Sequence, residues 1–214
     1  MLLTSLSVVK FGSSQKGALI ALSRQHNYLS VMKLTIILGP MKSGKSFDLI
    51  SFFSPLKYSN TKYALYQPKR NVRDEGIESR SGLFLDAKKV ESLECVANKE
   101  LAVVGIDEIH MFQPEDVAHI ERALLNGTEV VVSGLDMDYK GEMFATVRKL
   151  LELGPTEVRY KRAVCNDCKK ISATHTQVYD KGVPVTEGMP PVIPDDGTFG
   201  YEPVCRSCFV KKVA

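Results

Sequence analysis

The feature that most constrains this 214-residue chain is a short apolar run that ends on a glycine-rich loop. Lys33–Leu38 (KLTIIL) is rich in β-branched residues and reads as a strand buried on both faces, as in a parallel sheet. Gly39-Pro40-Met41-Lys42-Ser43-Gly44-Lys45-Ser46 follows directly and fits G-x-x-x-x-G-K-[ST]. Lys45–Phe53 continues as a predicted helix, with Pro55 marking its end. Each residue type in the loop has a physical reason. Glycines let backbone N–H groups turn inward around a phosphate, and the helix offers its N-terminal N–H groups and positive dipole end. A lysine at position 45 can reach the outer phosphates, and the Ser46 hydroxyl can ligate Mg²⁺. The motif predicts ATP with Mg²⁺ at residues 39–46. The bland alternative is a glycine turn that joins strand and helix without a ligand.

The rest of the first 160 residues alternates between strands and helices. Tyr63–Tyr66 is a short strand stopped by Pro68, and residues 69–82 are charged, lack an apolar period and read as a mobile loop. Leu101–Ile106 is a third strand, ending on Asp107-Glu108. A helix starts at Pro114 and runs to Gly127, Val130–Val132 is a fourth strand, and Ala145–Leu153 is helical up to Gly154-Pro155. Val158–Val164 alternates and leads into the first cysteine pair. This order predicts an α/β fold with a parallel sheet.

Asp107-Glu108 closes an apolar strand, where a carboxylate reaches the carboxyl edge of the sheet and the metal bound at Ser46. On an extended chain the two side chains face opposite ways, so one can serve the metal while the other takes a proton from an acceptor hydroxyl. A solvated strand end is the alternative.

Near residue 160 the pattern breaks. Cys165-x-x-Cys168 and Cys205-x-x-Cys208, 36 residues apart, supply four thiolates for a tetrahedral Zn²⁺ site with no open position, hence a structural one. Two disulfides are the alternative. Cys95 stands apart and reads as a buried or half-buried free thiol.

The charge is informative by position. The formal net charge is +3, and residues 1–31 carry all of it in Lys10, Lys16 and Arg24 with no acid, so Met32 onward is neutral. Residues 1–31 therefore read as a disordered N-terminal extension, with an upstream start or a transit peptide as alternatives. The expected division is 1–31 extension, 32–160 phosphate-binding core and 161–214 zinc-binding unit. No apolar run is long enough to span a membrane, no secretion signal is evident, and no basic track with interleaved aromatics points to nucleic acid. A cytoplasmic location is expected.

Together these motifs resemble the type II thymidine kinase family over roughly Met32 to Val210. GPMKSGKS is similar to the family's GPM-x-SGK-[ST], and Asp107-Glu108 to its DE pair. Arg80 in ESRSG resembles the arginine of the family's flexible loop. Gly134-Leu135-Asp136 with Tyr139 and Phe144 resembles the family's segment that packs on thymine. Tyr201 resembles the tyrosine of Y-x-x-V-C-R, and Thr176-Gln177 the start of the "lasso" loop between the cysteine pairs. The resemblance implies a RecA-like P-loop core with a small zinc-ribbon-like domain and lasso. It implies transfer of the γ-phosphate of ATP to the 5′-hydroxyl of thymidine or deoxyuridine, giving dTMP. Glu108 would be the base, with Lys45 and Arg80 at the phosphates and Asp107 toward Mg²⁺. Met41, Met111, Leu135, Tyr139, Phe144 and Tyr201 would surround the nucleoside, or else be ordinary core. A homotetramer and feedback inhibition by dTTP are also implied. Three departures stand out: Tyr139 replaces a usual Phe, Met111 replaces a bulky or aromatic residue, and residues 194–200 lack the family's Gly-Gly. Other readings of the same residues are a nucleic-acid-stimulated P-loop ATPase with a zinc ribbon, and a nucleotide-dependent interaction module.

Overall fold

The computed structural model describes residues 32–72, 75–79, 82–193 and 195–210. The expectations for the N-terminal extension and for Arg80 lie outside these residues. The first part of the chain forms β1 (Leu34–Leu38), α1 (Lys45–Phe53), β2 (Tyr63–Pro68), β3 (Ile77–Glu78), β4 (Phe84–Leu85), β5 (Lys88–Val90), β6 (Val103–Ile106), α2 (Val117–Leu125), β7 (Glu129–Gly134), α3 (Ala145–Glu152) and β8 (Glu157–Tyr160). Six of the strands make one sheet in the order β5-β2-β6-β7-β1-β8, and every pairing is parallel.

The alternation along each strand divides the core between the two faces. Leu34, Ile36, Leu38, Val104, Ile106, Val130 and Val132 pack with Val117, Ile120 and Leu124 of α2 and Val147 and Leu150 of α3. Ile37, Leu65, Val103 and Val131 pack on the other face with Leu49, Ile50 and Phe53 of α1. Helices thus cover both faces, which is why the central strands read as continuous apolar runs.

Several local expectations change. Residues 69–82 are not simply a loop: Ile77 pairs with Leu85 across a two-stranded hairpin, and both are buried against α1. Polar groups hold the turn before it. Gln67 Nε2 donates to Glu75 O at 3.0 Å, Asn71 Nδ2 donates to Gln67 Oε1 at 3.3 Å, and Lys89 Nζ donates to Asn71 O at 3.0 Å. β2 runs past the expected Tyr66 and includes Pro68, which is in register with Val90. The helix predicted from Pro114 begins as a 3₁₀ turn, Pro114–Asp116, with a capping box between Gln113 and Asp116, and becomes α-helical at Val117. Val158–Val164 divides into β8, an edge of the main sheet, and β9 (Ala163–Val164). Cys95 is exposed, because its 3₁₀ turn points Val96 inward instead.

The C-terminal part adds β10 (Ile171–Ala173), β11 (His175–Asp180), β12 (Val183–Pro184) and β13 (Phe199–Val204). β9 pairs with β10, and β11 lies between β12 and β13. The antiparallel β11–β13 register runs from His175 opposite Val204 to Asp180 opposite Phe199. This fold-back returns Cys205 to Cys165 and Cys168. The turn ahead of β13 uses one left-handed glycine, Gly197 (φ 89°), with Asp196 Oδ1 accepting from Thr198 N–H, where the family pattern has two glycines.

Candidate active site

The strand order β6-β7-β1 determines what meets at the carboxyl edge of the sheet. β7 lies between the strand that ends before Asp107 and the strand that ends before Gly39. Its Ser133 therefore sits between the carboxylate and the loop. Ser133 Oγ donates to Asp107 Oδ1, and Ser46 Oγ donates to Asp107 Oδ2 at 3.2 Å. Neighbouring ligands at a right angle around Mg²⁺, each about 2.1 Å from the ion, are about 3 Å apart. The Ser46–Asp107 spacing fits that ion.

The loop itself is pre-shaped. Gly39 (φ 145°) and Gly44 (φ 83°) take backbone conformations that side chains disfavour, and a Cβ on Gly39 would lie 2.5 Å from Lys161 O. Lys45 is buried, and its ammonium reaches across the loop to donate to Pro40 O at 2.8 Å. Ser43 Oγ is the one buried side-chain polar atom without a hydrogen-bond partner among the described residues. An orphaned hydroxyl and an inward lysine suit a phosphate chain. The adjoining cleft, of about 270 Å³, is lined by residues 41–47 with Glu78, Ser79 and Glu108.

Asp107 and Glu108 do part as expected, but not by strand alternation. β6 ends at Ile106, and Glu108 adopts a left-handed backbone (φ 49°, ψ 43°) that starts the 3₁₀ turn Ile109–Met111. A non-glycine residue in this region stores of order 1–2 kcal/mol of strain, and such strain gathers at functional sites. Burial, and then the neighbouring Glu108 charge, push the Asp107 carboxyl up to about 6, against the Ser133 hydrogen bond and Lys45.

Glu108 also borders a second space. Two small cavities of about 30 Å³ each share His110, Leu135, Ile193 and Tyr201, and Glu108 lines one of them. Met41, Met111, Leu135 and Tyr201 line one together with Glu108, and Leu135, Tyr139, Phe144 and Tyr201 line the other. All six residues predicted to surround an acceptor are therefore brought together. The Tyr139 hydroxyl, the departure from the usual Phe, donates to Met189 O at 2.7 Å and accepts from Met189 N–H at 3.2 Å. Tyr201 donates to Ile193 O at 3.1 Å. Two tyrosines thus hold the stretch between the cysteine pairs over these cavities through its backbone.

The C-terminal sheet also holds the phosphate loop. Met41 N–H donates to Thr176 Oγ1 at 3.0 Å, and Lys42 pairs with Glu202 at 2.5 Å. Beyond this sheet, the thiol sulfurs of Cys165, Cys168, Cys205 and Cys208 all lie within 4.8 Å of one another, with Cys168 and Cys205 at 3.8 Å. Tetrahedral zinc with Zn–S bonds of about 2.3 Å needs sulfurs about 3.8 Å apart, so the cluster fits Zn²⁺. Burial raises the Cys165 thiol, but the backbone N–H groups of Cys205, Cys168 and Asp167 outweigh it and pull the thiol down to about 6. That favours the thiolate, the form that binds metal.

Two residues of the site escaped sequence reading. Ser133 carries the same signal as Asp107, a polar residue that closes an apolar strand, and could have been found by it. His110 is buried beside Glu108 and lines both small cavities. Burial, and then Lys45, push its imidazole down to about 3, so it is neutral. Only the unusual turn at Glu108 reveals its place.

A family model for thymidine kinase matches residues 32–209. The chain is 35% identical over 154 residues to a protein of Ureaplasma parvum named thymidine kinase, covering 67% of each. A thymidine kinase of Ureaplasma urealyticum is 33% identical over 154 residues, again 67% of each chain. One of Mycoplasma mobile is 31% identical over 183 residues, covering 83% of this chain and 87% of that one. The matched span runs from just before the strand that feeds the phosphate loop to just past the last cysteine, and the chain belongs to the thymidine kinase family.

Proposed function

We propose that this protein transfers the γ-phosphoryl group of ATP to the 5′-hydroxyl of thymidine or deoxyuridine, giving dTMP or dUMP for DNA synthesis. The observation that carries this reading is the position of Glu108, which lines both the phosphate cleft and the cavity bounded by Met41, Met111, Leu135 and Tyr201. A group placed there takes the proton of the acceptor hydroxyl as its oxygen attacks the γ-phosphorus. Ser46 and Asp107 would hold Mg²⁺, which would supply neutralisation of phosphate charge, with Lys45 and Arg80 adding to it. Residues 39–46 cradle the phosphates. Met41, Met111, Leu135, Tyr139, Phe144 and Tyr201 enclose the base.

The same reading divides the described chain into a P-loop core to about residue 160 and a zinc-bearing lasso unit beyond it. Zinc is structural there, since all four positions are thiolates. Cavities of about 30 Å³ have room for a water or two, not a nucleoside. Acceptor entry therefore requires residues 189–193 to move outward and close again. A homotetramer, dTTP as feedback inhibitor in the acceptor site and a cytoplasmic location complete the proposal, and they rest on family resemblance.

The test is phosphate transfer against a panel of nucleosides, with Glu108→Gln beside the unaltered protein. Glu108→Gln should still bind ATP but lose about 10²- to 10⁴-fold in kcat, the usual contribution of a general base. Near-normal kcat would refute the assignment of the base. ATP hydrolysis stimulated by nucleic acid, without any nucleoside phosphorylation, would overturn the function.

A further inference from the structure

The helix that follows the phosphate loop carries an acid close to where a polyanion would bind. Asp48 lies in the first turn of α1, and its backbone N–H donates to Gly44 O at 3.1 Å. A helix N-terminus attracts anions through its free N–H groups and its positive dipole end. A carboxylate built into that turn takes up part of this attraction and repels a second anion. Asp48 is not left bare. Lys161 Nζ donates to Asp48 Oδ2 at 2.8 Å and to Oδ1 at 3.0 Å. The two side chains are largely buried, with 31% of Lys161 and 21% of Asp48 exposed.

The partners are 113 residues apart, so the backbone must deliver Lys161 to this spot. It does so just past the end of β8, where Tyr160 is in register with Leu38 of β1. Lys161 N–H then donates to Leu38 O at 2.7 Å, and Lys161 O packs so closely on Gly39 that a Cβ there would lie 2.5 Å from it. Other cations of this region are engaged elsewhere. Arg159 donates from Nε and Nη2 to the two oxygens of Glu157 at 2.8 and 2.9 Å, Lys42 pairs with Glu202, and Lys45 donates to Pro40 O. Asp107, bonded to Ser46, and Glu108, on the wall of the cleft, already bring two carboxylates to the loop. An uncompensated Asp48 would add a third.

We propose that Lys161 is a positioning residue that acts on ATP binding through Asp48: the pair cancels the charge of the acid and leaves the N-terminal end of α1 open to the phosphates. A partly exposed ion pair adds little to stability, since water screens it. Its consequence is larger for a ligand that carries several negative charges beside it. This inference rests on the reading of residues 39–46 as the ATP site.

The experiment measures Kd for ATP with Mg²⁺ by isothermal titration calorimetry at low ionic strength. Lys161→Met removes the cation, and Lys161→Gln keeps a hydrogen-bond donor toward Asp48 without the charge. Both should raise Kd about 3- to 10-fold, the effect of one like charge near a bound polyanion. Lys161→Arg, which restores the charge, should bind nearly as the unaltered protein does. The decisive variant is the double, Asp48→Asn with Lys161→Met. It lacks every contact between the two side chains, yet should also bind nearly as the unaltered protein does, because no bare carboxylate remains. The loss in Lys161→Met should shrink at about 1 M salt, where the screening length falls to ~3 Å. A double variant as weak as Lys161→Met, or weaker, would overturn the inference, because the loss of a brace is not undone by removing its other half. So would an unchanged Kd in Lys161→Met or Lys161→Gln while the unaltered protein binds ATP. Absence of ATP binding by the unaltered protein would overturn the ATP reading together with this inference.

Discussion

Tyr139→Phe is the sharpest test of how the site closes, because it deletes one oxygen and leaves the ring. That oxygen is 2.7 Å from Met189 O and 3.2 Å from Met189 N, and the residue is only 3% exposed. Each neutral hydrogen bond contributes a net ~0.5–1.5 kcal/mol. Met189 is half-buried, so water replaces part of what is lost. A total of about 1–2 kcal/mol follows, which is roughly 5- to 30-fold in the balance between a closed and an open lasso. The Tyr139–Met189 link does not include the phosphate loop, which keeps its Thr176 contact. KM for thymidine should therefore rise about 5- to 30-fold, with KM for ATP unchanged and kcat within about 3-fold. Steady-state kinetics with each substrate varied at saturating levels of the other measures this. An unchanged thymidine KM would mean that the Tyr139–Met189 link is absent from the form that binds acceptor. A rise in KM for ATP of similar size would mean that the lasso and phosphate cleft close as one.

Removal of zinc by a strong chelator should destabilise residues beyond about 161 and weaken acceptor binding more than ATP binding; unchanged thymidine affinity after zinc release, followed with a colorimetric dye, would contradict the lasso role. The raised Asp107 carboxyl gives a pH signature. In metal-free protein the native state keeps a proton, between about pH 4 and 6, that the unfolded chain has already lost, so this group's contribution is full below pH 4 and is lost as pH rises through 6. Asp107→Asn should flatten that slope in a Tm-against-pH series; a slope of the opposite sign that vanishes in the variant would refute the burial argument.

Features dictated by local chemistry were legible from residues alone. Gly39, Gly44 and Lys45 announce the phosphate loop because its backbone and its cation have few substitutes. The central strands were visible because both of their faces are covered. What stayed hidden is short or depends on a distant partner. β5 is three residues with two lysines, a composition that suits a sheet edge and looks like loop. Ile77 is a single apolar residue in charged surroundings and Leu85 closes a run of only three, Leu83–Leu85; both are buried by packing with Leu49, Ile50 and Phe53 of α1. Gln67 and Asn71 carry polar amides, yet both are buried: Asn71 donates to the Gln67 side chain and Gln67 in turn to Glu75 O, a chain that local sequence does not announce.

The site shows the same division. Cysteine spacing predicts four sulfurs around one ion, but not that the 36 residues between the pairs form a three-stranded sheet against the phosphate loop. That sheet is what joins the parts. Along β11, the His175 ring stacks on Phe209 just after the last cysteine, Thr176 Oγ1 holds Met41 N–H, and Gln177 Oε1 accepts from Val210 N–H. Three successive residues thus reach from the cysteine cluster to the loop at residues 39–46. Alternation along a strand permits this only because β11 is covered on both faces. Met41 is then held on its backbone by β11 while it lines the cavity proposed for the acceptor. The loop proposed to cradle phosphate is in this way also a wall of the neighbouring cavity, a double duty that the resemblance implied for Met41 and that the contacts of β11 give a physical basis.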